Sequence, residues 1–150
     1  MRRTSCFFKS GRSWLLLLLP VALAAQPRPL VSLAQTLRAS RWQQRVLLLT
    51  APSAQDANFK RQTALLAAGR AALKARDVRV LNAPFDQLSA ADQRLLTRQL
   101  RLGSSAFTVL LLGKDGGEKL RRARPMTVAE LTAVIDQMPM RRQEMRRTAP

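Results

Sequence analysis

Histidine is absent from this chain of 150 residues, cysteine occurs once, and acids number only 9 against 26 basic residues. Without histidine the commonest general base and the commonest metal ligand are both missing. The acids are dispersed rather than clustered, so neither a metal nor a cofactor is expected. No internal repeat and no long low-complexity segment is present, and the length admits one domain at most. The dinucleotide-binding glycine pattern is missing as well.

What is present begins with an address. Arg2, Arg3, Lys9 and Arg12 precede the apolar block Trp14–Ala25, which ends in Ala22-Leu23-Ala24. A basic start, a short apolar block and small residues at its end predict a secretory signal peptide over residues 1–24, cleaved after Ala24 or Ala25. The block is too short to span a bilayer, for which about 20 apolar residues are needed. A mitochondrial transit peptide would be amphipathic, whereas Leu15–Leu19 is apolar all round. Arg2-Arg3 also fits twin-arginine export, on one dipeptide. Cleavage would remove Cys6 and four basic groups, leaving 22 basic against 9 acidic residues. The exported chain would then have no thiol chemistry of its own, and its stability would rest on a core that roughly 125 residues can bury. The expected location is periplasmic or secreted, with no transmembrane segment after cleavage. Arginine outnumbers lysine by 21 to 5 and alanine and leucine abound, a composition that points to a GC-rich bacterium.

Along the rest of the chain, residues 25–40 read as a linker and short helix, with Leu30, Leu33 and Leu37 at helical spacing. The main domain is expected over 41–139. In it "RVLLLTAP", Arg45–Pro52, is a short continuous apolar run of the kind that suits a strand buried on both faces. Asn58 is placed to cap a helix from Phe59 towards Arg76, with Phe59, Leu66 and Leu73 on one face. "DVRVLNA", Asp77–Ala83, predicts a strand with Val78 and Val80 inward and Arg79 outward, ended by Pro84. Ser89 with Asp92 opens another helical segment bearing Leu95, Leu96 and Leu100, stopped by Gly103. Phe107–Leu112 is a further strand, followed by a turn and a second short strand. Thr127 and Glu130 have capping-box spacing ahead of a helix lined by Val128, Leu131, Val134, Ile135 and Met138. Residues 140–150 read as a basic tail.

Strands separated by helices are expected to run parallel and the last two, joined by a tight turn, antiparallel. The fold class is therefore α/β: a thioredoxin-like mixed sheet, a parallel core plus a C-terminal antiparallel hairpin, flanked by helices.

The corner Gly113-Lys114-Asp115-Gly116-Gly117 could be read as a phosphate cradle or a turn. A Walker loop needs Gly-x-x-x-x-Gly-Lys-Ser/Thr; here Lys114 precedes the glycines, no hydroxyl follows, and Glu118 would repel a phosphate. Asp115-Gly116 is instead a strong hairpin signal for a primed turn.

Together, "WQQRVLLLTAP", "FTVLLLGKDGGEKLR" and "IDQMPMRRQEMR" resemble the family catalogued as domain of unknown function 4174, also called the P-DUDES group. The resemblance covers roughly Leu30 to Arg147 and rests on Gly113, Lys114, Asp115, Gly116 and Gly117 in one motif. Asp136, Met138, Pro139, Met140, Arg141 and Glu144 carry the other. It implies a divergent branch of the thioredoxin and peroxiredoxin superfamily, with secreted matrix-type proteins among its animal relatives. In thioredoxins an Ala-Pro at the end of the first central strand leads into Cys-x-x-Cys at a helix start, where the helix dipole lowers the nucleophile's pKa. Here Ala51-Pro52 leads into "SAQDANFK", with no cysteine, and Phe107 stands where a proline would precede the third core strand. Residue type thus excludes a thiol mechanism unless a partner supplies the cysteine.

Three functional readings follow. The first is a non-enzymatic exported binding module for an anionic envelope polymer or lipid, or for a protein partner, with no specific nucleic acid target. Lys114, Lys119, Arg121, Arg122 and Arg124 from the hairpin region would carry it, with Arg141, Arg142, Arg146 and Arg147 from the C-terminal motif. The second is an enzyme or redox accessory using Asp56 within the polar segment Ser53–Asn58, against which stands the plainer role of Asp56 as a capping acid. The third is a structural, matrix-associated or stress-response protein acting through protein contacts. Asp77 after Arg76 is explained by a local charge pair or a turn.

Overall fold

A computed structural model describes residues 32–148; residues 1–24, read from sequence as a signal peptide, and Leu30 lie outside the described residues. Its elements in chain order are α1 (Leu33–Ser40), β1 (Arg45–Ala51), α2 (Ala57–Ala68), α3 (Arg70–Lys74) and β2 (Val78–Pro84). Then come α4 (Ala90–Arg94), β3 (Thr108–Leu112), β4 (Glu118–Arg122), α5 (Val128–Asp136) and α6 (Pro139–Thr148). The four strands form one mixed sheet in the order β2-β1-β3-β4. This is the expected α/β class, with helices on both faces.

Every residue of β1 is buried, because it is central and covered on both sides. On one face Leu47, Leu49 and Ala51 join Val109, Leu111 and Leu120 beneath Phe59, Leu66, Leu73, Leu131 and Ile135 of α2, α3 and α5. On the other, Val46, Leu48, Leu110 and Leu112 meet Leu33 of α1 together with Phe85, Leu96 and Leu102. Alternate residues of one continuous apolar run thus feed two cores, at about 25 cal/mol for each Å² of apolar surface withdrawn from water. Of the segment 25–40, read from sequence as a linker and short helix, the described part, residues 32–40, packs against the sheet. Ser32 caps α1, and Leu33 N donates to Asp92 Oδ1 at 3.0 Å.

One strand direction differs from expectation. β1 and β2 are parallel, but β3 runs antiparallel to β1 and β4 antiparallel to β3. The parallel core is thus a single β1–β2 pair. The reason lies in the connection 85–107. Pro84 ends β2 beside Ala51, and Thr108 begins β3 beside Thr50, so the chain leaves and re-enters at the same end of the sheet. Helix α4 and the wide turn Leu95–Gln99 run about 15 Å at the α-helical rise, and the irregular stretch after Leu100 carries the chain back.

Three local differences have similarly plain causes. The cap of α2 is Asp56, whose Oδ1 accepts from Phe59 N at 2.9 Å, and not Asn58, which lies inside the helix. The single expected helix to Arg76 breaks at Gly69, where a Cβ would overlap the side chain of Val128 on α5. Val80 faces the α2–α3 side as expected. On the edge strand β2, however, the helices leave an open groove, and the residue remains 36% exposed.

The corner at 113–117 is a turn, but not a primed one. Gly116 N donates to Gly113 O at 2.9 Å and Gly113 N to Gly117 O at 2.9 Å. Only Gly116 has positive φ, at 80°, so a turn of ordinary hand is followed by a left-handed glycine. That three-residue loop shifts the β3–β4 register beside Leu112. The capping box of Thr127 and Glu130 forms as expected.

Candidate functional site

Asp56 and the segment Ser53–Asn58 follow the carboxyl end of β1. Asp56 is held as a helix cap, Ser53 Oγ accepts from Gln55 N at 3.2 Å, and Asp86 Oδ2 accepts from Ala54 N at 3.4 Å. The bonds of Ser53 and Asp56 are local and shape the start of α2, while that of Asp86 ties the loop to the segment after β2, 32 positions on. Just inside, Thr50 is fully buried with no hydrogen-bond partner for its hydroxyl among the described residues.

The amino end of β1 is built differently. Arg45, only 1% exposed, donates from Nη1 to Arg76 O at 2.9 Å and from Nη2 to Glu144 Oε1 at 3.2 Å. Lys114, 11% exposed, reaches Asp77 Oδ2 and Glu144 Oε1, both at 2.8 Å. Arg76 pairs with Asp136 at 2.7 Å, and Arg141 bridges Asp136 and Glu144 at 3.4 Å each. Four cations and three carboxylates from five separated stretches of chain thus form one network. A buried guanidinium persists only where its charge is answered, since leaving it unpaired costs about 3–5 kcal/mol.

The network sets its own protonation. Burial alone would push the Glu144 carboxyl up; hydrogen bonds and charge from Lys114 and Arg45 outweigh it and lower the group to about 2. Burial would likewise lower the Lys114 ammonium, but Asp77 and Glu144 raise it above its ordinary value. Asp136 is lowered chiefly by its hydrogen bond from Arg76, against the opposing effect of burial. All three are therefore charged near neutral pH.

Asp77 does not pair with its neighbour Arg76, as a local charge pair would require. Arg76 goes to Asp136 and Asp77 to Lys114, while Asp77 N and O bond Lys74 O and Arg45 N in a turn with φ of 51°. The segment 140–150, read as a tail, is helical in its described part. Pro139 opens α6, as suits a residue without an N–H to satisfy, and Glu144 ties the helix to β1 and to the turn after β3. Met138 packs on the core beneath α5, whereas Met140 is 38% exposed beside a cavity of about 240 Å³ shared with Lys114 and Lys119.

The nine basic residues singled out in sequence divide accordingly. Lys114 and Arg141 belong to the network, and Lys119, Arg121 and Arg124 pair with Asp115, Glu118 and Glu130. Arg122, Arg142, Arg146 and Arg147 make no ion pair with a described residue. Sequence reasoning missed Arg45, Arg76 and Trp42. An arginine opening an apolar strand is a visible signal of a buried charge that needs a partner. Trp42 is 68% exposed with φ of 63°, a left-handed conformation that costs a non-glycine residue about 1–3 kcal/mol, and its N donates to Lys114 O at 2.6 Å.

Every residue of this network, from Arg45 to Glu144, lies within a stretch that matches a known family. The model of the domain of unknown function DUF4174 matches residues 36–144. The chain belongs to the DUF4174 family. Among solved structures this DUF4174 chain is similar to the Plasmodium yoelii peroxiredoxin Prx1a, modified at its N-terminus and forming an artifactual octamer. The TM-score is 0.54 and the identity 16%, covering 76% of this chain and 82% of the other. It is similar also to Plasmodium yoelii thioredoxin peroxidase I, with TM-score 0.53, 16% identity and coverage of 75% and 80%. At that identity the likeness shows the fold alone: the DUF4174 domain is thioredoxin-like. Within that fold, the ion-pair network occupies the end of β1 opposite to Ala51-Pro52.

Proposed function

We propose that this DUF4174 chain is an exported, non-enzymatic binding module that holds an anionic component of the cell envelope through α6. The observation that carries the reading is the anchoring of α6 by Glu144. With Glu144 and Arg141 turned into the network, Arg142, Arg146 and Arg147 stand exposed and without acid partners among the described residues. Guanidinium groups on a fixed helix suit phosphate, sulfate or carboxylate groups, to which they offer paired donors. Lys114, Lys119, Arg121 and Arg124, already paired with acids, contribute background field more than contact.

The test is salt-titrated binding to lipopolysaccharide and heparin by the full chain and by a variant carrying Arg142→Gln, Arg146→Gln and Arg147→Gln. Tight, steeply salt-dependent binding that weakens at least tenfold in the variant supports the module. Equal binding by the two chains would sink it. A second reading, contact with a protein partner, is favoured by the exposed Trp42 and Met140.

A further inference from the structure

We infer that the anionic component is a lipid bilayer surface, and that the end of the sheet carrying the ion-pair network lies flat on it. This rests on the anion-binding reading above and names its target. Trp42 precedes β1 and is hooked to Lys114 O; Met140 shares a cavity with Lys114 and Lys119; Glu144, which grips Arg45 and Lys114, holds α6 beside them. Two exposed apolar side chains thus stand at one end of the molecule, Trp42 next to the exposed Arg41 in the chain and Met140 at the start of the helix that carries Arg142, Arg146 and Arg147.

A soluble anion would satisfy the arginines and leave Trp42 and Met140 in water. A bilayer interface satisfies both, since tryptophan settles at headgroup depth while arginines meet lipid phosphates. The left-handed backbone at Trp42 holds a large ring outward rather than against either core. No described helix is long and apolar enough to cross a membrane, so the contact is peripheral, made by a surface of the folded domain. Trp42 protrudes from the surface, a form that fits a fluid surface better than a rigid protein partner.

The experiment reads Trp42 directly. Trp14→Phe in the full chain leaves Trp42 as the only tryptophan. Its emission and its quenching by bromine-labelled acyl chains are followed with phosphatidylcholine vesicles and with vesicles holding an equal share of phosphatidylglycerol. Heparin serves as the soluble anion. The expected result is a blue shift and quenching with the anionic vesicles only, and an affinity lower by on the order of 100-fold when Arg142, Arg146 and Arg147 are all glutamine. Because the leader is the same in both chains, its own partition cancels in that comparison. Blue shift of equal size on uncharged vesicles, or a water-like Trp42 in vesicle-bound chain, would overturn bilayer docking. Arginine-dependent heparin binding with Trp42 wet on every vesicle would discard the bilayer and keep the anion-binding module. Absence of arginine-dependent binding to either probe would overturn both.

Discussion

The two ends of β1 solve different problems. At the carboxyl end, Asp56 and Ser53 make short-range bonds that shape a loop and cap α2, Asp86 adds one exposed bond of 3.4 Å to Ala54 from 32 positions away, and Thr50 leaves a buried hydroxyl without a described partner. At the amino end, Arg45 and Glu144 meet across 99 positions of sequence, and Lys114 and Asp77 join them across 37. The loop at the first end can lose a bond and keep its fold, because water reaches Ser53, Asp56 and Asp86. At the second, a charge buried to 1% exposure has no such recourse. The contrast separates a loop held by single bonds within reach of water from a network that locks distant segments together through a buried charge.

The sharpest break of that contrast is Glu144→Gln. It should cost about 3 kcal/mol, the lower end for a buried pair because Glu144 is itself partly exposed. Urea unfolding measures it. Adding Arg45→Met should recover most of the loss, since the stranded guanidinium is then gone; no recovery would mean that Arg45 and Glu144 are not energetically coupled.

Acid titration sharpens the same end. Glu144 lies near 2 when folded against 4.5 ordinarily, so its contribution is present above about 4.5 and is lost as the pH falls towards 2. The stability gap between the native chain and Glu144→Gln should therefore shrink across that window. A gap that stayed constant down to pH 2 would contradict the account.

The carboxyl end should respond weakly, and in two directions. Thr50→Val keeps the shape and removes an unpaired hydroxyl, and should stabilise the fold by about 1 kcal/mol in the same unfolding assay. Asp56→Ala removes the α2 cap and should cost about 1 kcal/mol, while Asp56→Asn, itself a good cap, should cost less. A loss above about 3 kcal/mol from Asp56→Asn would show more than capping there. Smallest of all, Arg122→Gln should change stability by no more than about 0.5 kcal/mol, as an exposed residue without an ion pair to a described residue.

What was legible in the sequence was what neighbours decide. The Leu47–Leu49 run, the Thr127–Glu130 box, the Ser89 cap and the hairpin at Asp115-Gly116 each depend on residues a few positions apart. The choice of Asp56 over Asn58 was less so, since both side chains cap well and packing of Phe59 into the core selects between them. The break at Gly69 depends on Val128, far along the chain. The direction of β3 depends on how far the 85–107 connection travels before it turns back. Of the candidate site, Lys114, Asp136, Arg141 and Glu144 could be named from motifs, but not their partners. Pairing Arg45 with Glu144 requires the sheet, α5 and α6 all in place.

The central claim is that the binding end of this domain is the amino end of β1 with α6, and not the carboxyl end where Asp56 sits. Its most direct test is the affinity of the full chain for lipopolysaccharide at fixed low salt, measured side by side for Asp56→Asn and for the variant with Arg142, Arg146 and Arg147 all replaced by glutamine. The account predicts unchanged affinity in the first and a loss of at least tenfold in the second. Loss on changing Asp56, with the arginine variant binding as before, would contradict it.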